Sequence, residues 1–140
     1  MQPFRHQFRV RYAEVDAQGV VFNSRYLEYA DVLVSEYFRE ARQRGLAAGA
    51  EFHVRHAAVD YRAPIALDAL VEGRLTVTAI GRSSVTMRIA LHDTADGDDA
   101  PAKAEITLVS VHVDRPGGRP APVPPAMRAA LLPGGEASAR

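Results

Sequence analysis

The chain has 140 residues, with 17 Lys+Arg against 17 Asp+Glu and no Cys. This length predicts one domain, residues 1–140, that buries a core without covalent staples. The absence of cysteine excludes disulfide frameworks, thiolate metal sites and thiol nucleophiles. A net charge of zero argues against nucleic acid or an anionic membrane surface as the main partner.

The N-terminal segment alternates apolar with polar residues and lacks the apolar stretch of a signal peptide. No apolar run approaches the roughly 18 residues that a membrane-spanning helix needs. We therefore expect a cytoplasmic protein without a membrane partner.

The first predicted elements are a strand and a long helix. Apolar and polar residues alternate over residues 4–12, which predicts a half-buried strand. Over about residues 24–44 the apolar spacing becomes three and four, which predicts an amphipathic helix capped by Asn23 or Ser24. Because this helix is apolar on most sides, we expect a curved sheet to cover one side and a second subunit to complete the cover.

Four more strands are predicted after the helix. Short connections favour antiparallel pairing, and the turn Gly81-Arg82-Ser83 suits a tight hairpin. The class is therefore α+β, with one long helix and an antiparallel sheet of about five strands. A proline-rich arm from about residue 115 is expected to run over the surface. The strands are predicted at residues 52–62, 70–80, 84–92 and 102–113, and a short C-terminal helix at residues 126–132.

The join between the first strand and the helix combines an acid, a glycine and a helix start. Asp16 and Gly19 precede Asn23 by seven and four residues. Free N–H groups at a helix start stabilise a developing oxyanion, and a nearby carboxylate can act as base or nucleophile, so an acyl-transfer site is one interpretation. The other is that Asp16 only fixes an Asx-type turn while Gly19 supplies a positive φ. Spacing alone favours this second, structural interpretation.

A family resemblance changes that balance. The run R-V-R-Y-x-E-V-D-x-x-G-V-V-F-N-x-x-Y-L-x-Y-x-D at residues 9–31 resembles the hot-dog-fold acyl-CoA thioesterases of the 4-hydroxybenzoyl-CoA thioesterase family. The resemblance continues through V-D-Y-R-x-P at residues 59–64, G-R-S-S-V at residues 81–85 and the proline-rich arm. It implies a hot-dog fold, in which the sheet wraps around the helix and two subunits join their sheets to form a pair of active sites.

The resemblance also implies roles for residues near the helix start. Asp16 matches the catalytic carboxylate, as nucleophile or as general base for water. Asn23 matches the position whose backbone N–H polarises the thioester carbonyl. Gly19 would let the loop approach the substrate closely.

Further positions match the substrate-binding part of the family pattern. Tyr26 is expected to pack in the core or to line the acyl pocket, and Val59 to border that pocket from the partner subunit. Arg82, Ser83 and Ser84 resemble the turn that meets the pantetheine or phosphate groups of CoA, although an Arg and two Ser are also ordinary residues of a solvated hairpin.

The sequence therefore predicts an acyl-CoA thioesterase that assembles as a homodimer or homotetramer with active sites at the subunit interface. No metal or cofactor is expected, CoA being part of the substrate, and His53 and His56 are expected to face opposite sides of their strand. A hot-dog dehydratase or hydratase, or a non-catalytic acyl-CoA-binding domain, are the alternatives. The acyl group, and CoA against acyl carrier protein as thiol carrier, stay open.

Overall fold

The computed structural model describes residues 2–45, 50–115 and 117–131. In this part of the chain one long helix lies against one face of a five-stranded antiparallel sheet. The elements are β1 (Phe4–Arg9), α1 (Tyr26–Gln43), β2 (Phe52–Tyr61), β3 (Leu70–Ile80), β4 (Ser84–Asp93), β5 (Ala104–His112) and α2 (Pro125–Leu131).

The sheet has the strand order β1-β3-β4-β5-β2, and every neighbouring pair is antiparallel. The α+β class, the five strands and the element order predicted from the sequence are confirmed. β1 and β2 form the two edges of the sheet, although β2 is the strand that directly follows α1 in the chain. The crossing of α1 from one edge to the other places the helix over the middle of the sheet.

Most predicted elements differ from the structure by one to three residues at a boundary. β1 ends at Arg9 and not at residue 12, because the chain turns into a 3₁₀ turn at Tyr12–Glu14, where the Glu14 carboxylate accepts the Arg11 N–H. The long helix begins with a 3₁₀ turn at Asn23–Arg25 before α1. The C-terminal helix starts at Pro125, a residue well suited to a first helical turn. The predicted last residue of that helix, residue 132, lies outside the described residues.

The helix packs closely on the sheet where β3 carries a glycine. Leu33 of α1 is fully buried, and a Cβ added to Gly73 would lie only 2.6 Å from Leu33 Cγ. Buried Leu75, Met87 and Ile89 from β3 and β4 extend this core on the helix-facing side. The missing Cβ of Gly73 therefore lets the axis of α1 approach the sheet.

β2 is an edge strand with an irregularity that corrects one prediction. The pairing with β5 shifts between Val54 and His56, so Arg55 forms a β-bulge. His53 lies opposite Val111 and His56 opposite Val109, two positions on the same outer side of β5. The prediction that the two histidines face opposite sides is therefore wrong. Arg55 is an extra residue between them, so both side chains lie on one face of β2. Among the described residues, no three His, Asp or Glu side chains form a cation site.

Candidate active site

Asp16 lies on a short loop that backbone hydrogen bonds hold closed. The Asp16 N–H donates to Val20 O at 2.9 Å, and the Gly19 N–H donates to Asp16 O at 3.0 Å. Gly19 has φ +80°, the left-handed conformation that the sequence pattern predicts for it. The loop is tied to the segment before β3, since the Leu67 N–H donates to Gly19 O at 3.0 Å. The catalytic carboxylate predicted from the sequence is thus carried by a rigid loop.

The Asp16 side chain is half-buried and turned partly onto its own loop. Its Oδ1 accepts the Gln18 N–H at 2.8 Å and the Val20 N–H at 3.5 Å. The Asx-type turn predicted as the structural interpretation of Asp16 is therefore present. It occupies Oδ1, whereas Oδ2 receives no hydrogen bond from the residues that the structure describes. The turn orients the carboxylate and leaves one oxygen available for chemistry.

The return half of the same loop leads directly into the helix start at Asn23. The first hydrogen bond of the 3₁₀ turn runs from the Arg25 N–H to Phe22 O, so the N–H groups of Asn23 and Ser24 have no acceptor within the helix. The Asn23 carbonyl accepts the Tyr26 N–H and, at 2.9 Å, the Tyr61 hydroxyl. Two N–H groups at the positive end of α1 therefore lie on the chain a few residues from Asp16.

A buried carboxylate that the sequence reasoning did not single out lies at the base of this loop. Glu14 is buried and accepts hydrogen bonds from Arg11 and from the Tyr29 hydroxyl. Burial alone would raise the pKa of Glu14, but these hydrogen bonds outweigh burial and lower it. The three-residue spacing suggests that Arg11 and Glu14 pair in a turn, but it does not predict that Glu14 is buried.

The tyrosines of the helix start face the core. Tyr26 is 3% exposed and packs edge-to-face on Tyr61 of β2 with ring centroids 4.9 Å apart. Burial, followed by the neighbouring Tyr61, raises the pKa of Tyr26. Val59, two residues before Tyr61, is half-buried against the same core. Of the two expectations for Tyr26, packing in the core is the one observed.

The hairpin of Arg82, Ser83 and Ser84 connects β3 to β4, and its backbone is held by the C-terminal arm. The Val123 N–H donates to Arg82 O at 2.9 Å, and the Arg128 guanidinium donates to Gly81 O and Arg82 O at 2.6 and 3.1 Å. The Arg82 side chain is exposed and forms no ion pair with the described residues. The hairpin therefore presents a free guanidinium on a fixed backbone.

The predicted site residues fall into two groups at opposite ends of the sheet. The Asp16 loop contacts the segment just before Leu70, where β3 begins, and the hairpin follows Ile80, where β3 ends. At about 3.3 Å per residue, these ends are roughly 30 Å apart. Asp16, Gly19, Asn23 and Tyr26 are brought together within one chain, whereas the Arg82 hairpin is not brought to them.

One groove of about 630 Å³ lies between β1 and the first half of α1. Its lining includes Phe8, Glu14 and Tyr29, but neither Asp16 nor Asn23. The groove borders the edge of the sheet formed by β1, and β2 forms the opposite edge.

The helix, the strand order and the loop that leads into the helix start define a hot-dog fold. The chain belongs to the Thioesterase-like superfamily, whose family model matches residues 10–131. The resemblance predicted from residues 9–31 is thereby confirmed. No helix in the described part of the chain is long and apolar enough to cross a membrane.

Individual relatives agree with this assignment. The acyl-CoA thioester hydrolase YbgC of Escherichia coli O6:H1 is 33% identical over 91 residues, covering 61% of this chain and 68% of the relative. The crystal structure of the PA5185 protein from Pseudomonas aeruginosa is 30% identical with a TM-score of 0.81, covering 93% of this chain and 90% of that one. Slr0204 from Synechocystis, a 1,4-dihydroxy-2-naphthoyl-CoA thioesterase, is 20% identical with a TM-score of 0.76, covers 91% and 94% of the two chains, and supports the fold alone.

Proposed function

We propose that this chain hydrolyses acyl-CoA thioesters to the free acid and CoA. The observation that carries the proposal is one loop. It places the half-buried Asp16 carboxylate a few residues before a helix start whose first two N–H groups have no acceptor among the described residues. The membership of the Thioesterase-like superfamily covers this loop, and a relative 33% identical to the chain is named an acyl-CoA thioester hydrolase.

In the general-base route, the free oxygen of Asp16 takes a proton from water as that water attacks the thioester carbonyl carbon. The negative charge that develops on the carbonyl oxygen is stabilised by the N–H of Asn23 at the helix start. The tetrahedral intermediate then expels the CoA thiolate, which takes up a proton. The proposed reaction uses no metal or cofactor, so EDTA is expected to leave kcat unchanged.

In the nucleophilic route, Asp16 itself attacks the carbonyl carbon, the CoA thiolate leaves, and water hydrolyses the resulting mixed anhydride. Both routes need an ionised Asp16 and an oxyanion donor. They differ in the intermediate: only the second leaves an acyl group on the enzyme, which mass spectrometry of a rapidly quenched reaction would detect as an increase in mass.

A dehydratase or hydratase of the same fold would normally need a histidine paired with an acid at the site. The loop at residues 12–25 contains no histidine, and buried His92 and His112 lie on β4 and β5. Incubation with an enoyl-CoA separates the two functions, because a hydratase adds water without releasing thiol.

The test is a thiol-release assay with a panel of aryl-CoA and acyl-CoA esters and with the same acyl groups on acyl carrier protein. The chain contains no cysteine, so a thiol reagent reports only the released carrier thiol. We expect release from CoA esters with multiple turnovers. Binding of these esters without release of thiol from any of them would contradict the proposal and favour a non-catalytic binding domain.

We also propose that the active unit is a homodimer built on the β2 edge. β2 is ten residues long, pairs only with β5 among the described residues, and exposes Val54 by 61% and Tyr61 by 54%. A long exposed edge with apolar side chains is a template for pairing with another strand. A second copy of β2, related by a two-fold axis, would pair antiparallel and continue the sheet.

This arrangement joins the two groups of site residues that one chain keeps apart. The first residue of β2, Phe52, pairs with His112, whose N–H donates to Ser83 O at 2.7 Å. The last residue, Tyr61, donates its hydroxyl to Asn23 O at 2.9 Å. Antiparallel pairing sets the start of one β2 beside the end of the other, so the hairpin of one subunit approaches the helix start of its partner. Val59 lies on the shared strand.

The dimer can be tested by introducing single cysteines into a chain that has none. Ala57→Cys and Ala58→Cys lie on β2, and Ala129→Cys lies exposed on α2 as the control. We expect one of the β2 variants to form a disulfide-linked dimer under mild oxidation, because paired strands bring Cα atoms within about 5.5 Å, a distance that a disulfide spans. A monomer in light scattering, with no cross-link beyond that of the control, would overturn the β2 dimer.

A further inference from the structure

Glu14 is the buried carboxylate that the proposed reaction leaves without a role. It is 6% exposed, and no other Asp or Glu among the described residues is buried. A carboxylate taken out of water costs free energy unless its oxygens are hydrogen-bonded. The chain would avoid this cost with an apolar residue if position 14 served only to fill space.

Both oxygens of Glu14 are satisfied by donors from two elements. Oε1 accepts the Arg11 N–H at 2.9 Å and the Tyr29 hydroxyl at 2.8 Å. Oε2 accepts Nε and Nη2 of Arg11 at 2.9 and 2.8 Å. The backbone takes part as well, because Glu14 O accepts the Phe22 N–H at 3.0 Å.

These contacts converge on the two ends of the catalytic loop. Glu14 stands two residues before Asp16, and Phe22 stands one residue before Asn23. The bond between Glu14 and Phe22 closes the loop at its base, and the bond from Tyr29 fixes that base to the first turns of α1. The distance between the Asp16 carboxylate and the Asn23 N–H therefore depends on where Glu14 is held.

We infer that Glu14 is a positioning residue, whose ionised and buried carboxylate sets the place of Asp16 relative to the helix start. The inference rests on the proposed thioesterase function and deepens it. Glu14 does not need to touch the substrate: its carboxylate acts through Arg11 and Tyr29. A reacting group displaced by about 1 Å can lose on the order of 100-fold in rate, so a modest shift of the loop would be visible in kcat.

The protonation state supports this role. Burial raises the pKa of Tyr29 first, and the Glu14 carboxylate raises it further, so the tyrosine hydroxyl stays a donor. The hydrogen bonds that lower the pKa of Glu14 keep the carboxylate an acceptor on both oxygens. Donor and acceptor roles in the cluster are thus fixed across the neutral pH range.

The test compares Glu14→Gln with a matched variant elsewhere. Glutamine keeps the shape but loses the charge and one of the two acceptor oxygens. Glu105→Gln is the control, because Glu105 on β5 also pairs with two arginines, Arg62 and Arg88, on the outer side of the sheet. We expect both variants to lower Tm, but only Glu14→Gln to lower kcat, by about 10- to 100-fold with KM changed less than threefold.

Tyr29→Phe supplies the second arm, since it removes one hydrogen bond to Glu14 and no charge. We expect a smaller loss of kcat, and in the double variant a combined loss well short of the product of the two single losses, because both act through one cluster. If Glu14→Gln does not fold, Tyr29→Phe is compared with Tyr37→Phe, a change at another α1 tyrosine that packs against the core. We then expect only Tyr29→Phe to lower kcat, and equal kcat values would overturn the positioning role.

The outcomes separate the inference from the function on which it rests. A wild-type chain that releases no thiol from any ester contradicts the proposed function itself. An active wild type, with Glu14→Gln and Tyr29→Phe at wild-type kcat, contradicts only the positioning role. Equal losses of kcat in Glu14→Gln and Glu105→Gln would also overturn it, because the effect would then follow from stability alone.

Discussion

The two ends of the sheet are held in different ways. At the loop end, side chains hold one another: Glu14 binds Arg11 and Tyr29, and a backbone hydrogen bond from Phe22 to Glu14 closes the Asp16 loop at its base. At the hairpin end, the arm binds backbone carbonyls: Val123 and Arg128 donate to the turn itself. The first arrangement fixes the position of the carboxylate that we propose to react, whereas the second leaves the side chains of the turn free.

This difference suggests that the two ends of the sheet have different functions. Residues held in a cluster at the loop end are suited to stabilise a transition state, for which position is decisive. Free side chains on a fixed turn are suited to hold a flexible, charged part of the substrate. Substitutions at the loop end should therefore change kcat, and substitutions at the hairpin end should change KM.

The largest effect is expected from Asp16→Asn. The amide is nearly isosteric and retains an acceptor oxygen for the Gln18 N–H, so the loop should keep its shape. Loss of the carboxylate should lower kcat by about 10²–10⁴. Asp31→Asn, on the exposed side of α1, is the control. Steady-state kinetics and thermal unfolding would be measured together, and an unchanged kcat would remove Asp16 from the mechanism.

Asn23→Pro tests the helix start at the same end. Proline is tolerated in a first helical turn, and Phe22 has φ −67° and ψ 138°, which suits a residue before proline. Removal of one oxyanion donor should lower kcat by about 10²–10³. Asn23→Ala keeps the N–H and should stay near wild type. Equal losses in the two variants would assign the effect to the Asn23 side chain.

Gly73→Ala probes the middle of the sheet, which both ends share. The added methyl group would overlap with the fully buried Leu33, so the free energy of unfolding should fall by about 1–3 kcal/mol. Denaturant titration would measure the loss. In the double variant with Leu33→Val, the loss should be smaller than the sum of the two single losses, since the smaller side chain leaves room. Independent, additive losses would contradict close packing at this contact.

Arg82→Ala is the matching test at the hairpin end. An exposed guanidinium that meets a phosphate contributes about 1 kcal/mol, so KM for a CoA ester should rise about fivefold while kcat stays unchanged. The same acyl group on N-acetylcysteamine has no phosphates, and its KM should not respond. A rise of KM for both esters would show that Arg82 acts on the shape of the site and not on the phosphates.

The elements could be predicted because their signals are local. Alternation gave the start of β3 and the hairpin at Arg82 correctly, and a spacing of three and four gave α1 to within two residues. His53 and His56 lie on one face of β2 because of the bulge at Arg55, and no periodic pattern predicts that bulge. In the Glu14 cluster, Glu14 and Tyr29 are 15 positions apart in the chain and meet only once α1 has packed on the sheet. Spacing alone therefore suggests Arg11 as a partner of Glu14, but not Tyr29.

The smallest effect concerns His92, which lies on the outer face of the sheet, opposite the face that packs on α1. His92 is 9% exposed, its Nδ1 has no partner among the described residues, and it lies opposite Glu72 with Arg74 and Arg5 nearby. Burial first, and then Arg74, lower the pKa of His92 in the folded chain. The unfolded chain, in which a histidine titrates near 6.5, therefore binds the proton more readily.

The free energy of unfolding should thus decrease as the pH falls through about 6.5, because protonation favours the unfolded state. His92→Gln should flatten this decrease, and His56→Gln, at an exposed position of β2, is the matched control. Urea unfolding from pH 8 to pH 5 measures the slope. Since His92 lies on the outer face of the sheet and α1 packs on the other face, kcat should keep the wild-type pH profile in this variant; a changed profile would connect the outer face of the sheet to the proposed chemistry at Asp16.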